Sequence, residues 1–149
     1  MDVAALNGAL GEKDRNLVLF DKLPAGDPRR EGLLVRVYDQ LIADRRYSDA
    51  AAARPFSKMI SHFELAVRER PLPANITNPE AIRSANRRYV ATTTARNIEV
   101  LAGAGDVAHA QDLAQRLLAF DRSEETMRLI NEHAARAGHP DLLTAPAKP

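Results

Sequence analysis

The turn at Gly105-Asp106 constrains the fold of this chain more than any other stretch of its sequence. Apolar residues at helical spacing, among them Ile98 and Leu101, lead into the turn, and an alanine-rich helical pattern starts directly after it. Gly105 ends the first helix and Asp106 is a favoured cap for the second. Almost no residues remain for a loop, so the two helices are predicted to form an antiparallel hairpin.

Helical periodicity and capping signals predict an all-α chain. In the clearest segment, apolar residues at Leu34, Val37, Tyr38 and Leu41 fall at i, i+3, i+4 and i+7. No alternating pattern typical of a β-strand reaches a useful length. The predicted helices cover about 2–10, 13–23, 28–45, 49–70 with a break at Pro55, 79–104, a segment capped by Asp106, a segment from Ser123 to Gly138, and a helical turn at 139–143.

A proline-rich segment divides these helices into two groups. Pro71 and Pro73 cannot both lie inside a regular helix, whereas Asn78-Pro79-Glu80 combines a cap, a first-turn proline and a first-turn acid. We predict one helical-hairpin domain over 1–144. It consists of N-terminal hairpins in 1–70, a linker at 71–78, C-terminal hairpins in 79–144 and, beyond them, a flexible tail at 145–149.

The turns between paired helices recur at related intervals. Four turn anchors are separated by 34, 60 and 33 residues, namely Gly11, Arg45, Gly105 and Gly138. A small residue follows five places after two of them, at Ala50 and Ala110. Two of the three intervals match a 34-residue helix–turn–helix period. In these features the sequence resembles the tetratricopeptide-repeat family, which implies a short array of stacked helical hairpins.

The sequence also departs from that family's pattern. The central interval is far longer than one repeat, Arg45 replaces the usual turn glycine, and Arg122 stands where a closing proline is expected. The alternative fold is a helical bundle without repeats, because Ala- and Leu-rich helices produce weak periodicities by chance.

The resemblance implies a concave groove lined by the first helix of each hairpin. The residue six places before the anchors Arg45, Gly105 and Gly138 faces such a groove. These residues are Asp39, Glu99 and Glu132. Three acids in one groove predict binding of a basic peptide or helix through charge-assisted hydrogen bonds. The alternative interpretation is a solvated helix face, where acidic residues are common.

One single arginine and one cluster of arginines are the remaining candidates for binding. The family's carboxylate clamp needs Lys or Asn at positions that here carry Val35, Ala95 and Arg128, so no clamp is expected, although Arg128 stays a candidate contact. Separately, Arg83, Arg87 and Arg88 share one side of the long helix and can hold an anionic partner. The alternative for this patch is an exposed face supported by pairing with nearby acids.

No pattern in the sequence predicts catalysis, a cofactor or a metal. The chain has no cysteine, its four histidines form no H-E-x-x-H pair, and no glycine-rich phosphate loop or nucleophile elbow is present. A net charge of +1 disfavours a domain whose main role is to coat nucleic acid, because such domains usually have a clear excess of basic residues. No apolar run approaches the ~20 residues needed to span a bilayer, and no signal peptide is found. We therefore expect a cytoplasmic, non-membrane location, or a periplasmic one if this is an excised domain.

The sequence therefore predicts a protein–protein interaction module, and not an enzyme, that binds a partner peptide or helix in a groove. One alternative is an oligomerisation or docking domain of a larger bacterial-type protein, which includes a homo-oligomer. The other is a regulatory helical module associated with nucleic acid through the arginine face.

Overall fold

A computed structural model describes residues 12–24, 26–68 and 72–144. These residues form helices joined by turns and contain no strand, which confirms the all-α prediction. The helices are α1 (Glu12–Lys22), α2 (Pro28–Ala43), α3 (Tyr47–Ala53), α4 (Phe56–Val67), α5 (Pro79–Gly103), α6 (Val107–Phe120) and α7 (Glu124–Arg136). None of these seven is both long and apolar enough to cross a membrane. The predicted helix at 2–10, the anchor Gly11 and the tail at 145–149 lie outside the described residues.

Side-chain caps begin four of the helices. Each cap accepts a hydrogen bond from a backbone amide of the first turn that has no partner within the helix. Pro28 and Pro79 occupy first-turn positions, where a missing amide hydrogen costs nothing. The caps and the amides that donate to them are Asp27 with Arg29, Asn78 with Ala81, Asp106 with His109, and Ser123 with Thr126.

Two local predictions are wrong in detail, and one is confirmed. Pro55 does split the predicted helix, because α3 ends at Ala53 and α4 begins at Phe56. However, α3 begins at Tyr47, two residues before the predicted start at 49, and it has no side-chain cap. The predicted helical turn at 139–143 is instead a series of turns, in which amides donate to carbonyls three residues earlier.

The three described turn anchors share one backbone geometry. Arg45, Gly105 and Gly138 have φ angles of 58°, 91° and 88°, in the left-handed region. In each case the following amide donates to a carbonyl five residues earlier, as in a Schellman helix terminus. These bonds run from Arg46 to Leu41, from Asp106 to Leu101 and from His139 to Ala134, at 2.7, 2.8 and 2.8 Å.

The chain divides into two compact units between Arg54 and Pro55, not at the segment 71–78. The reason is that α4 packs on α5, across that segment. In the first unit, α2 packs against α1 and α3, and Phe20 is fully buried beneath the guanidinium group of Arg30, 3.9 Å from the ring centroid. Arg46 joins the elements of this unit, since it donates to Asp21 at 2.7 Å and to Asp49 at 3.1 Å.

The second unit is organised around the long helix α5. Its C-terminal half packs on α6 and α7, and residues 97–102 are all buried. In contrast, residues 79–89 in its N-terminal half are all exposed. Twenty-five helical residues extend over about 37 Å, against about 21 Å for the fourteen of α6, so α5 is longer than the helix that covers it. This difference leaves the first three turns of α5 accessible beside α4.

Candidate functional site

A cleft lies between α4 and the exposed half of α5, within the second unit. Its volume is about 410 Å³, within the range of roughly 300–1,000 Å³ that is common for binding clefts. We call it the basic-apolar cleft. It is lined by the apolar residues Leu65, Leu72, Ile82, Tyr89 and Phe120 and by the polar residues His62, Arg68, Arg83, Asn86 and Arg87, with Ala66 and Val67 completing it.

Large apolar side chains in this cleft are exposed to solvent. Leu65, Ile82 and Tyr89 are 52%, 43% and 52% exposed, and they account for three of the six large exposed hydrophobic residues in the described part of the chain. Phe120 also lines the cleft, and it packs edge-to-face against buried Phe63 with the ring centroids 6.4 Å apart. A cluster of exposed apolar side chains typically marks an interaction site, because its burial by a partner releases ordered water.

Hydrogen bonds across the cleft hold its two helices in position. The Asn86 side chain on α5 donates to the carbonyl of Ala66, 3.3 Å away in the last turn of α4. This bond satisfies one of the carbonyls that a helix C-terminus leaves unpaired. One turn further along α5, the Tyr89 hydroxyl lies 3.4 Å from Nε2 of His62. The apolar surface is therefore carried on a braced pair of helices.

The charged groups among the described lining residues of the cleft are basic. Arg68, Arg83 and Arg87 are exposed, and no carboxylate is among the lining residues that the structure describes. Arg87 is paired with Glu80 at 3.2 Å, whereas no carboxylate of the described residues pairs with Arg83. The structure thus brings two members of the predicted arginine patch into one cleft. Its third member, Arg88, is exposed but does not line the cleft.

The three predicted groove acids differ in their exposure to solvent. Asp39 is exposed on α2 in the first unit, and Glu132 is exposed on α7 in the second. Glu99 is only 2% exposed, and its Oε1 lies 2.7 Å from Nδ1 of His133. This burial corrects the expectation that Glu99 faces a groove. The physical reason is that α6 and α7 both cover this part of α5.

Glu132 and Arg128, the other candidates on α7, lie together at a shallow surface depression of about 560 Å³. Met127 in the same depression is 43% exposed. The depression carries both signs of charge, since Glu124 and Glu132 flank Arg128. It therefore offers a partner less apolar surface and a less uniform charge than the basic-apolar cleft.

A histidine–aspartate pair elsewhere in the second unit has a structural role. Nδ1 of His109 lies 2.6 Å from Oδ2 of Asp106, and the imidazole stacks on Phe56 with ring centroids 3.9 Å apart. This stack links α4 to the start of α6. Across residues 12–24, 26–68 and 72–144, no three His, Asp or Glu side chains lie close enough together to hold a metal ion.

The apolar residues of the cleft are absent from the candidates that the sequence supplies. A signal was nevertheless present, because Ile82, Asn86 and Tyr89 are spaced by four and three residues and so share a face of α5 beside the arginines. Comparison of the chain with protein-family models, with curated proteins and with solved structures found no match in any of the three.

Proposed function

We propose that this protein is a protein-binding helical module, and that the basic-apolar cleft receives a helical segment of another protein. The observation that carries this proposal is the exposure of Leu65, Ile82 and Tyr89 side by side in one cleft. Apolar and aromatic anchors with arginine at the rim are typical of the energetically important part of protein interfaces. A groove between two helices is also a common receptor for the apolar face of a third.

The relation of the helical hairpins to tetratricopeptide repeats belongs to the same proposal. It is supported by the shared left-handed turns at Arg45, Gly105 and Gly138, the last two of which are 33 residues apart. In this proposal the partner contacts the cleft beside the first half of α5, rather than a groove lined by Glu99. The burial of Glu99 removes one of the three acids on which the expectation of a basic partner rested.

Site-specific photo-cross-linking in the cell of origin tests the proposed function. A benzophenone amino acid replaces Tyr89 in the cleft or, as a matched control, Met127 on α7; the two side chains are 52% and 43% exposed. We expect a discrete adduct from position 89 but not from position 127. The purified partner should bind the wild-type protein and bind Leu65→Lys at least ten-fold more weakly, because that change places a charge in the apolar surface.

The other outcomes are equally informative. An adduct between two copies of this chain at position 89 would assign the cleft to self-association. Adducts of equal yield from positions 89 and 127, or none from position 89, would contradict a specific protein-binding role for the cleft.

A further inference from the structure

The polar groups around the basic-apolar cleft determine what chemistry its occupant needs. Arg68, Arg83 and Arg87 supply positive charge, and of the three only Arg87 is paired with a carboxylate of the described residues, that of Glu80 outside the lining. The Asn86 amide is already engaged with the carbonyl of Ala66. A ligand that covers the apolar surface must therefore also neutralise guanidinium groups that it removes from water, since an unpaired buried charge is strongly unfavourable.

The spacing of these groups on α5 matches one face of another helix. Arg83 and Arg87 are one helical turn apart, about 6 Å along the axis, and Ile82 and Tyr89 are two turns apart, about 10 Å. A partner helix presents residues at i, i+4 and i+7 with the same spacings. Apolar residues at such positions contact Ile82 and Tyr89, while acids along one edge reach the arginines.

We infer that the occupant of the cleft is an acidic amphipathic helix of a partner protein, with its apolar face on Leu65, Ile82 and Tyr89 and its carboxylates on Arg83 and Arg87. This inference rests on the proposed function and specifies its partner by charge. Arginine suits this role because its planar guanidinium group binds a carboxylate through two parallel hydrogen bonds.

The existing contacts of the two arginines leave both available to such a partner. No carboxylate of the described residues pairs with Arg83. Arg87 pairs with Glu80, but both side chains are largely exposed, at 45% and 69%. An exposed ion pair of this kind is weak and exchanges readily with a competing carboxylate, particularly when a partner excludes water from the contact.

The substitution Tyr89→Trp introduces a fluorescent reporter into the cleft, because the chain contains no tryptophan. The variant Tyr89→Trp is titrated with three helical peptides that share one apolar face and carry Glu, Gln or Lys along its edge. We expect the emission of the introduced tryptophan to shift to the blue as the peptide covers it. The Glu peptide should bind at least ten-fold more tightly than the Lys peptide, with the Gln peptide between them and with weaker binding at higher salt.

Charge reversal on α5 supplies the matched comparison. In the Tyr89→Trp background, Arg83→Glu should invert the order of the peptides so that the Lys peptide binds more tightly than the Glu peptide. Arg88→Glu makes the same change of charge at an exposed position on α5 outside the cleft lining. It should alter the ratio of the Glu- and Lys-peptide affinities less than three-fold, since solvent and salt screen a charge that does not contact the peptide.

The outcomes separate the charge inference from the proposed function. If the Glu and Gln peptides bind with equal affinity and Leu65→Lys abolishes the binding of both, the charge inference is overturned and the cleft remains a protein-binding site. A peptide concentration of about 1 mM detects binding as weak as about 4 kcal/mol. If no peptide shifts the emission at this concentration, both the charge inference and the proposed function are overturned. A single-stranded oligonucleotide that binds more tightly than the Glu peptide would overturn the inference in favour of nucleic acid.

Discussion

We predict that removal of the Glu99 carboxylate destabilises the second unit, although the sequence pattern suggests a binding residue at this position. Glu99 on α5 is 2% exposed and its Oε1 lies 2.7 Å from Nδ1 of His133 on α7. The interaction joins two helices whose residues are 34 positions apart in the chain. The substitution Glu99→Ala therefore removes a contact between packed helices and leaves the imidazole without this partner.

The structure sets the size of the expected effect. A hydrogen bond that involves a charged group contributes about 1.5–3 kcal/mol. The His133 side chain retains 13% exposure, so water compensates part of its loss and the middle of this range applies. We expect Glu99→Ala to lower the free energy of unfolding by about 2 kcal/mol.

Urea denaturation followed by circular dichroism at about 222 nm, the band of helical backbone, measures this change. The matched control is Glu132→Ala, which removes an exposed acid from α7 and should change the free energy of unfolding by less than about 0.5 kcal/mol. His133→Ala combined with Glu99→Ala should cost less than the sum of the two single changes, because both remove the same contact. If Glu99→Ala is no more destabilising than Glu132→Ala, the assignment of a structural role to Glu99 is wrong.

Four further predictions concern two turns, one ion pair and one helix cap. Arg45→Gly should raise the free energy of unfolding by about 0.5–1 kcal/mol in urea titrations, because glycine adopts the left-handed φ of 58° without strain. Gly105→Ala should lower the free energy of unfolding by about 1 kcal/mol through the φ of 91° alone, since an added Cβ meets no atom within 4 Å. Urea midpoints equal to that of the wild type in both Arg45→Gly and Gly105→Ala would contradict this reasoning. The hydrogen bond from Arg46 lowers the pKa of Asp21. This pair therefore stabilises the fold above the carboxyl group's ordinary pKa, and the stabilisation is lost as pH falls through the lowered value. Between about pH 5 and 2, the free energy of unfolding of Arg46→Gln should fall less than that of the wild type. Ser123→Ala should cost about 1 kcal/mol in the same titrations by removing the cap of α7, whereas equal stability of this variant and the wild type would show that the cap is dispensable.

The helix boundaries are the part of the fold that local sequence determines well. Asp27, Asn78 and Asp106 each accept a hydrogen bond from an amide two or three residues ahead, so neighbouring sequence contains the whole interaction. The start of α3 was not predictable in this way. Asp49, a good cap by residue type, accepts from Arg46, which also binds Asp21 at 25 positions' separation. Here a tertiary contact overrides the local preference.

The environment of Asp121 illustrates the same distinction at the start of α7. Burial opposes ionisation of this carboxyl group, but the Ser123 amide and the Thr126 hydroxyl donate to it, and together they lower its pKa. Because all three residues lie within six consecutive positions, a capping signal at Ser123 captures part of this network. The contribution of burial depends on packing and is not visible in the sequence.

The candidate site was predictable only in part, for a related reason. Periodicity identifies residues that share one face of a helix, but not how many faces its neighbours cover. Glu99 and Arg83 both lie on α5 and both are charged, yet the first is buried and the second is exposed. The difference arises because α6 and α7 cover only the C-terminal half of α5. The position along α5 at which this coverage ends cannot be predicted from the sequence pattern.

Because α5 is longer than the helices that cover it, its two halves are expected to have different roles, one in stability and the other in binding. Its C-terminal half supplies core residues such as Ile98 and Leu101, where substitution alters packing. Its N-terminal half keeps Ile82 and Tyr89 partly in water, so changes there remove little packing. In the proposed function, Leu65→Lys and Arg83→Glu should alter binding while their unfolding midpoints stay close to that of the wild type. Glu99→Ala should show the opposite pattern, with reduced stability and, under conditions where it remains folded, an unchanged preference for acidic peptides. A cleft variant that lost stability and binding in equal measure would show that the first half of α5 is part of the folding core.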